Sequence, residues 1–399
     1  MKRRWELKAA VMPLSALAIL AFVGMATADS MDGLVAAAKK EGQLTVIALP
    51  RDWCGYGAII DGFKAKYGLT VNELYPDGTS GYQLEAIKAN QGNTDPEAPD
   101  VIDVGLSFGP SAKKDGLLQP YKVSTWSTIP DSAKDADGYW YGDYYGVLAF
   151  EINADIVKKA PADWPDLLAP EYKSSVALAG YPQESNQAIQ GVFAAGLSAA
   201  NGSVDQAADQ GLKFLAELNK KGNFVPVVGQ ADSLVQGVTP ILIRWDYIAL
   251  GDRDRFKGNP KIGIVVPKTG VVVGVYIQAI SAFAPHPNAA KLWMEYLYSD
   301  EGQLAWLNGY CHPIRFKDLT SNNKVPVKLL EKLPQMEDDG SYDEPVFPTI
   351  EQQERAKETI IKGWDDVVGV KVECPPPEIP SRVPMSLIDD TTRQAAIPQ

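Results

Sequence analysis

Three loops and one strand end carry the residue types that can hold a small polar molecule. Pro50-Arg51-Asp52-Trp53-Cys54-Gly55-Tyr56 follows an apolar run and sets a guanidinium, a carboxylate and an indole at the start of a helix. Arg51 can grip a carboxylate or phosphonate, Asp52 can accept from an amine, and Trp53 can cover an alkyl or cationic group. The plain alternative is a surface loop with an Arg-Asp pair and a packing Trp. Thr79-Ser80-Gly81 and Ser107-Phe108-Gly109 add hydroxyls beside helix-start amides, a seat for an anion that simple helix capping explains equally well. The strand end Arg244-Trp245-Asp246-Tyr247 follows the apolar run 241–243 and can point charged and aromatic groups into a cleft. Tyr145, Asn186 and Tyr276 complete the candidates, placed by a crossover, a helix start and a return strand.

Catalytic signatures are absent. The sequence has no Gly-x-Gly-x-x-Gly after a strand, no Walker loop, no His-Glu-x-x-His helix and no Gly-x-Ser-x-Gly elbow. With two histidines, His286 and His312, and only the adjacent pair Cys311-His312, zinc-type spacing is missing and neither cofactor nor metal is expected. A non-enzyme is therefore expected, with a secreted enzyme using Asp52 or Asp246 as a base the contrasting reading.

The chain start indicates where the protein works. Lys2, Arg3, Arg4 and Lys8 precede an apolar stretch over residues 9–23 that ends in Ala26-Thr27-Ala28, the order of a cleaved secretory signal. About 15 apolar residues fall short of the roughly 20 that span a bilayer. Cleavage after Ala28 and a periplasmic destination are expected, and no cysteine near that point suggests a lipid anchor. Residues 1–28 carry four basic residues and one acidic residue, so the remaining 371 carry 34 basic and 49 acidic, a formal charge of −15. Such a chain is repelled by nucleic acid and anionic lipid, so no nucleic-acid partner is expected. Its three cysteines permit at most one internal disulfide. A Cys311–Cys374 bridge would tie down the tail, and idle thiols are the equal alternative.

Short β-branched runs alternate with amphipathic helical stretches, the rhythm of an α/β protein with parallel sheets. Residues 44–49, 70–75 and 101–104 read as strands, with helices over 59–67, closed by Gly68, and 81–88. Strand, helix, strand, helix, strand within about 60 residues describes a doubly wound sheet, whose ligand crevice lies beyond the carboxyl ends of its strands. An apolar run over 146–152 reads as a crossover into a second lobe with strands at 176–179, 224–228, 241–243 and 262–266 and helices at 187–195 and 206–218. The chain then returns through 271–280 and a helix at 289–297. Leaving and re-entering a lobe sets two linkers side by side, the covalent arrangement of a hinge. Residues 350–368 read as a helix, with Ile350, Ala356, Ile360 and Ile361 as candidate buried positions. The Pro-rich composition from Cys374-Pro375-Pro376-Pro377 to Gln399 suggests an extended or partly disordered tail.

Several segments resemble the extracellular solute-binding proteins of ABC importers, the group of ferric-ion, polyamine, phosphonate and related receptors. Ala38-Lys39-Lys40-Glu41-Gly42 with Leu44-Thr45-Val46 resembles the opening helix and strand of that family. Trp164-Pro165-Asp166-Leu167-Leu168 with Pro170-Glu171-Tyr172-Lys173 is similar to its entry into the second lobe. Ala289-Ala290-Lys291-Leu292-Trp293, Tyr296-Leu297-Tyr298 and Ser299-Asp300-Glu301-Gly302-Gln303 resemble its late helix and Ser-x-Glu-Gly-Gln turn, the most specific match. The likeness spans residues 31–310. It implies an α/β periplasmic-binding-protein type II fold, two doubly wound lobes joined by a two-stranded hinge, with closure on a small-molecule solute and transfer to a permease and ATPase complex in the inner membrane. A monomer is expected. The expected division is a signal over 1–28, first-lobe residues 29–145, second-lobe residues 146–270, a return to the first lobe with C-terminal helices over 271–373, and a tail over 374–399. A fold of this kind does not fix the ligand. Ferric receptors of the family use two adjacent second-lobe tyrosines, usually with a first-lobe histidine or acid. Here Tyr247 is flanked by Asp246, the Tyr144-Tyr145 pair comes too early, and no histidine occurs in the first-lobe loops. A small organic solute of amine, amino acid-like or phosphonate type is therefore expected, with ferric ion the alternative of the same fold and a sensor domain a third reading.

Overall fold

A computed structural model describes residues 30–332 and 348–374, so the expected signal and the tail beyond 374 lie outside the described residues. Ten strands are described: β1 (Gln43–Ile47), β2 (Thr70–Leu74), β3 (Val101–Gly105), β4 (Leu118–Gln119), β5 (Tyr141–Asn153), β6 (Val176–Leu178), β7 (Ile241–Trp245), β8 (Ile262–Val265), β9 (Val273–Ser281) and β10 (His312–Pro313). Their order is β2-β1-β3-β9-β5-β7-β6, with β4 on β9 and both β8 and β10 on β5. The first half is built by β2, β1 and β3 in parallel, closed by antiparallel β9. Parallel β6 and β7 build the second. These strands read as nearly continuous apolar runs because helices cover both faces of such sheets.

The local causes are legible. The helix Tyr56–Tyr67 buries Tyr56, Ile59, Ile60 and Phe63, one stripe at helical spacing, and ends on Gly68 at φ 71°, where a side chain would be strained. Ser299 caps the helix Asp300–Asn308 by accepting from the Gly302 amide, which explains the polar turn that resembled the family. Glu41 ties the first helix to the late one by accepting from the Asn288 and Ala289 amides at the start of Pro287–Leu297.

The thirteen-residue β5 serves both halves. Residues 141–147 pair with β9, whereas residues 148–153 pair with β7 and β8. On the way back, Val273 and Gly274 pair with Val147 and Gly146, and the Leu148 amide donates to Val272 O. The two passages therefore lie side by side as a two-stranded hinge. Glycine is required at this crossing. A Cβ on Gly274 would overlap the Trp245 ring, and one on Gly146 would overlap Tyr247.

Two expectations, the strand at 224–228 and the disulfide pairing, differ from the structure. Residues 224–228 form isolated bridges from Phe224 to Val176 and from Val227 to Glu373 rather than a strand, and Pro226 supplies the interruption. The helix Ile350–Gly363 packs on Val204–Lys220 and Asn186–Ala199 of the second half and also against residues 106–108 of the first. Ala356 and Ile360 are buried in this packing, and Lys357 donates to Ser107 O and lies 4.4 Å over the Phe108 ring. The disulfide joins Cys54 to Cys311, not Cys311 to Cys374, with Cα atoms 5.4 Å apart. Cys374 is free and exposed, its Sγ 2.6 Å from the Tyr181 hydroxyl.

That disulfide closes a sequence separation of 257 residues and anchors the loop that carries Asp52 and Trp53. Replacing both cysteines by alanine is expected to lower the unfolding free energy by roughly 2 to 5 kcal/mol, read from urea denaturation. An unchanged midpoint would rule out a stapling role.

Candidate functional site

A cleft of about 590 Å³ opens between the halves, within the range of small-molecule sites. The first half contributes Trp53 after β1, Ser80 and Gln83 from the helix Ser80–Ala89, and Asp103 from β3. Tyr144 and Tyr276 come from the two hinge strands, and Asn186, Gln187, Arg244 and Arg255 from the second half. Contacts across the cleft hold the halves together. The Gly81 amide donates to Glu184 O at 3.1 Å, Arg255 pairs with Asp52 at 3.4 Å, and Tyr310 donates to Asp254.

The floor is a buried polar network set by strand register. Asp103 pairs with Gln278 and Gly105 with Tyr276 across β3 and β9. One Asp103 oxygen accepts from the Tyr56 hydroxyl at 2.7 Å and the Tyr144 hydroxyl at 2.9 Å, and Tyr144 in turn accepts from Trp53 Nε1 at 2.8 Å. Gln278 Nε2 donates to Tyr56 at 2.9 Å and to Asp143 at 3.1 Å. Burial pushes the Asp103 carboxyl up to about 7, against the pull of its two tyrosine hydrogen bonds. Asp143 is pushed up as well, by burial first and then by the charge of Asp103. A carboxyl with a raised folded-state value binds more protons folded than unfolded, so its contribution to stability falls as pH rises from about 4 through 7.

The second-half wall is a salt-bridge cluster. Arg244 Nη1 bonds Glu151 and Asp252, each at 2.9 Å, and Arg255 pairs with Asp252 at 2.9 Å. Burial raises Glu151 to about 7 although Arg244 pulls it down.

Six of the twelve sequence candidates line the cleft: Asp52, Trp53, Ser80, Asn186, Arg244 and Tyr276. Six do not. Arg51 faces outward, held by Asp61 at 2.5 Å and Glu73 at 2.8 Å. Ser107 is buried under Lys357, and Tyr145 stacks on His312 with centroids 4.8 Å apart. Trp245 and Tyr247 are buried behind the cleft, their rings stacked on each other at 6.4 Å. Asp246 turns back to the hinge, where its Oδ1 accepts from Val147 N at 3.0 Å and Tyr247 N at 2.9 Å. Side chains alternate across a strand, so within Arg244-Trp245 only one neighbour can face the opening. Sequence reading missed Gln83, Asp103, Tyr144 and Arg255. For Asp103 the signal was present, a lone acid inside the buried run Val101–Gly105.

The chain belongs to the bacterial extracellular solute-binding proteins, whose family description matches residues 97–334. A candidate 2-aminoethylphosphonate-binding periplasmic protein of Salmonella typhimurium is 26% identical over 306 residues, covering 73% of this chain and 82% of its own. Among solved structures, AfuA of Actinobacillus pleuropneumoniae with fructose-6-phosphate bound matches at TM-score 0.62 and 20% identity, and iron-bound HitA of Pseudomonas aeruginosa at 0.61 and 19%. Each covers 82% of this chain and 99% of the matched one. The chain is thus a periplasmic solute-binding component of an ABC transporter, a class that works with a permease and an ATPase.

Closure depends on a close approach at Gly105, where a Cβ would overlap the Asn186 carboxamide from the other half. Gly105→Ala is expected to keep native circular dichroism while raising the small-angle-scattering radius of gyration, because the halves are wedged apart. Unchanged scattering would show that the contact does not limit closure.

Proposed function

We propose that this protein captures a small organic solute of the amine, amino acid-like or phosphonate class and delivers it chemically unchanged to its importer. In this reading the lobes are residues 29–145 with the return over 271–373, and residues 146–270, and the ligand contacts come from Asp52, Trp53, Ser80, Asn186, Arg244 and Tyr276. The carrying observation is a cleft of about 590 Å³ lined from both halves and bridged by contacts across its mouth. A ligand touching both walls adds interactions available only in the closed state and so shifts the hinge equilibrium. Moving from mostly open to mostly closed requires about 5.5 kcal/mol of differential affinity. A few hydrogen bonds to charged groups, about 1.5 to 3 kcal/mol each, supply it.

The helices Ser80–Ala89 and Asn186–Ala199 both begin at the cleft, one from each half. The first amides of Asn186–Ala199, which no side chain caps, favour an anionic group, which suits the phosphonate named for the Salmonella relative.

Native mass spectrometry of freshly purified protein, followed by thermal-shift measurements with amines, amino acids, phosphonates, sugar phosphates and ferric citrate, tests the reading. One organic ligand per chain is expected, recovered intact, with about 2.7 kcal/mol of stabilisation at a hundredfold excess over Kd. Turnover of the ligand, or a response to ferric citrate alone, would contradict it.

A further inference from the structure

The cleft floor holds a buried carboxyl without a cation. Asp103 is 3% exposed, lines the cleft, and leaves Oδ1 without a hydrogen-bond partner. Asp143 is fully buried beside it and accepts from Gln278, whose amide also donates to the Tyr56 hydroxyl that bonds Asp103. Among the described residues no Lys, Arg or His forms an ion pair with either acid. The groups facing them are Tyr56 from the helix Tyr56–Tyr67, Tyr144 from β5, Tyr276 and Gln278 from β9, Tyr298 after the helix Pro287–Leu297, and Tyr247 from Asp246–Phe256. An ionised carboxyl in such surroundings is unfavourable unless a partner charge arrives.

A second observation lies one strand position along. Asp103 and Gly105 share a face of β3, about 6.6 Å apart by the rise of a strand. Asn186 packs directly over Gly105, is 2% exposed, and has neither carboxamide atom in a well-formed hydrogen bond. An acceptor from each half thus stands at the same floor.

The walls favour the same charge. Asp52, Asp77, Asp103, Asp232 and Asp252 line the cleft against Arg244 and Arg255, and both arginines are already paired with carboxylates. Trp53, Tyr144 and Tyr276 add aromatic rings, whose faces attract cations.

We propose that Asp103 and Asn186 seat the ammonium end of the solute, which makes the ligand an organic amine and Asp103 the residue that selects for it. The assignment rests on the receptor reading above and adds the class of ligand. Ammonium binding draws the proton off the Asp103 carboxyl, so affinity rises with pH through about 7.

Calorimetric titration tests this with 2-aminoethylphosphonate, its N-trimethyl analogue and ethylphosphonate, which lacks the amine. Wild type, Asp103→Asn and Asn186→Ala are compared at pH 6 and pH 8, with circular dichroism checking the fold. Wild type is expected to bind at least one ammonium ligand more tightly at pH 8, and ethylphosphonate far more weakly. Asp103→Asn is expected to lose roughly ten- to hundredfold in affinity for the amine, together with its pH dependence. Asn186→Ala should weaken binding while keeping that pH dependence. Equal binding of ethylphosphonate, or unchanged amine affinity in Asp103→Asn, overturns the assignment. Wild-type binding of fructose 6-phosphate but no amine overturns it and leaves an organic-solute receptor standing, whereas binding of ferric citrate alone or of none of these probes sinks both readings.

Discussion

A carboxyl group buried beside the hinge strand β9, with no basic side chain among the described residues paired to it, is the constraint on which the rest of the site depends. Asp103 sits on β3 opposite Gln278 of β9, and Asp143 lies on β5, so the two acids, linked through Gln278 and Tyr56, belong to the strands that form the cleft floor. Phenol hydroxyls from Tyr56 and Tyr144 partly solvate Asp103, and Tyr144 is itself positioned by Trp53. The charge balance of the cleft is therefore coupled to the loop that forms its wall.

Everything around that floor serves to present or cover it. The Cys54–Cys311 disulfide pins the Trp53 loop to the segment following Asp300–Asn308. Glycines at 105, 146 and 274 let side chains from the second half approach the first closely, at positions where a methyl group would intrude. The C-terminal helix adds a strap: it packs on the second half and on residues 106–108 of the first, where burial pushes the Lys357 ammonium group toward its neutral form. Ion pairs at the rim, such as Arg255 with Asp52, are half exposed and contribute little stability by themselves. Their value is geometric, because they form only when the walls meet.

The architecture was legible in the sequence because it rests on periodicity. The apolar runs 101–104 and 241–243, the closing glycine at 68 and the turn over 299–303 are local signals, and the structure places strands, cap and turn where they indicated. The site was only half legible because facing direction is a tertiary property. Arg51 and Asp52 are neighbours, yet one pairs outward with Glu73 and the other reaches across to Arg255. Asp246 has the chemistry of a ligand contact, but its Oδ1 is turned to the hinge and accepts from the Val147 and Tyr247 amides. The disulfide pairing was hidden for the same reason, since nothing in residues 54, 311 and 374 encodes which two approach. Asp103 was overlooked because an acid inside an apolar strand reads as an exception to the pattern rather than as its purpose.

The most direct test is to follow the Asp103 carboxyl carbon by NMR through a pH titration, in free protein and with saturating 2-aminoethylphosphonate. Free protein is predicted to titrate near 7, and bound protein to titrate in the ordinary carboxylate range, about 4, because the ammonium supplies the missing cation. A midpoint that stays near 7 with the ligand bound would contradict the account.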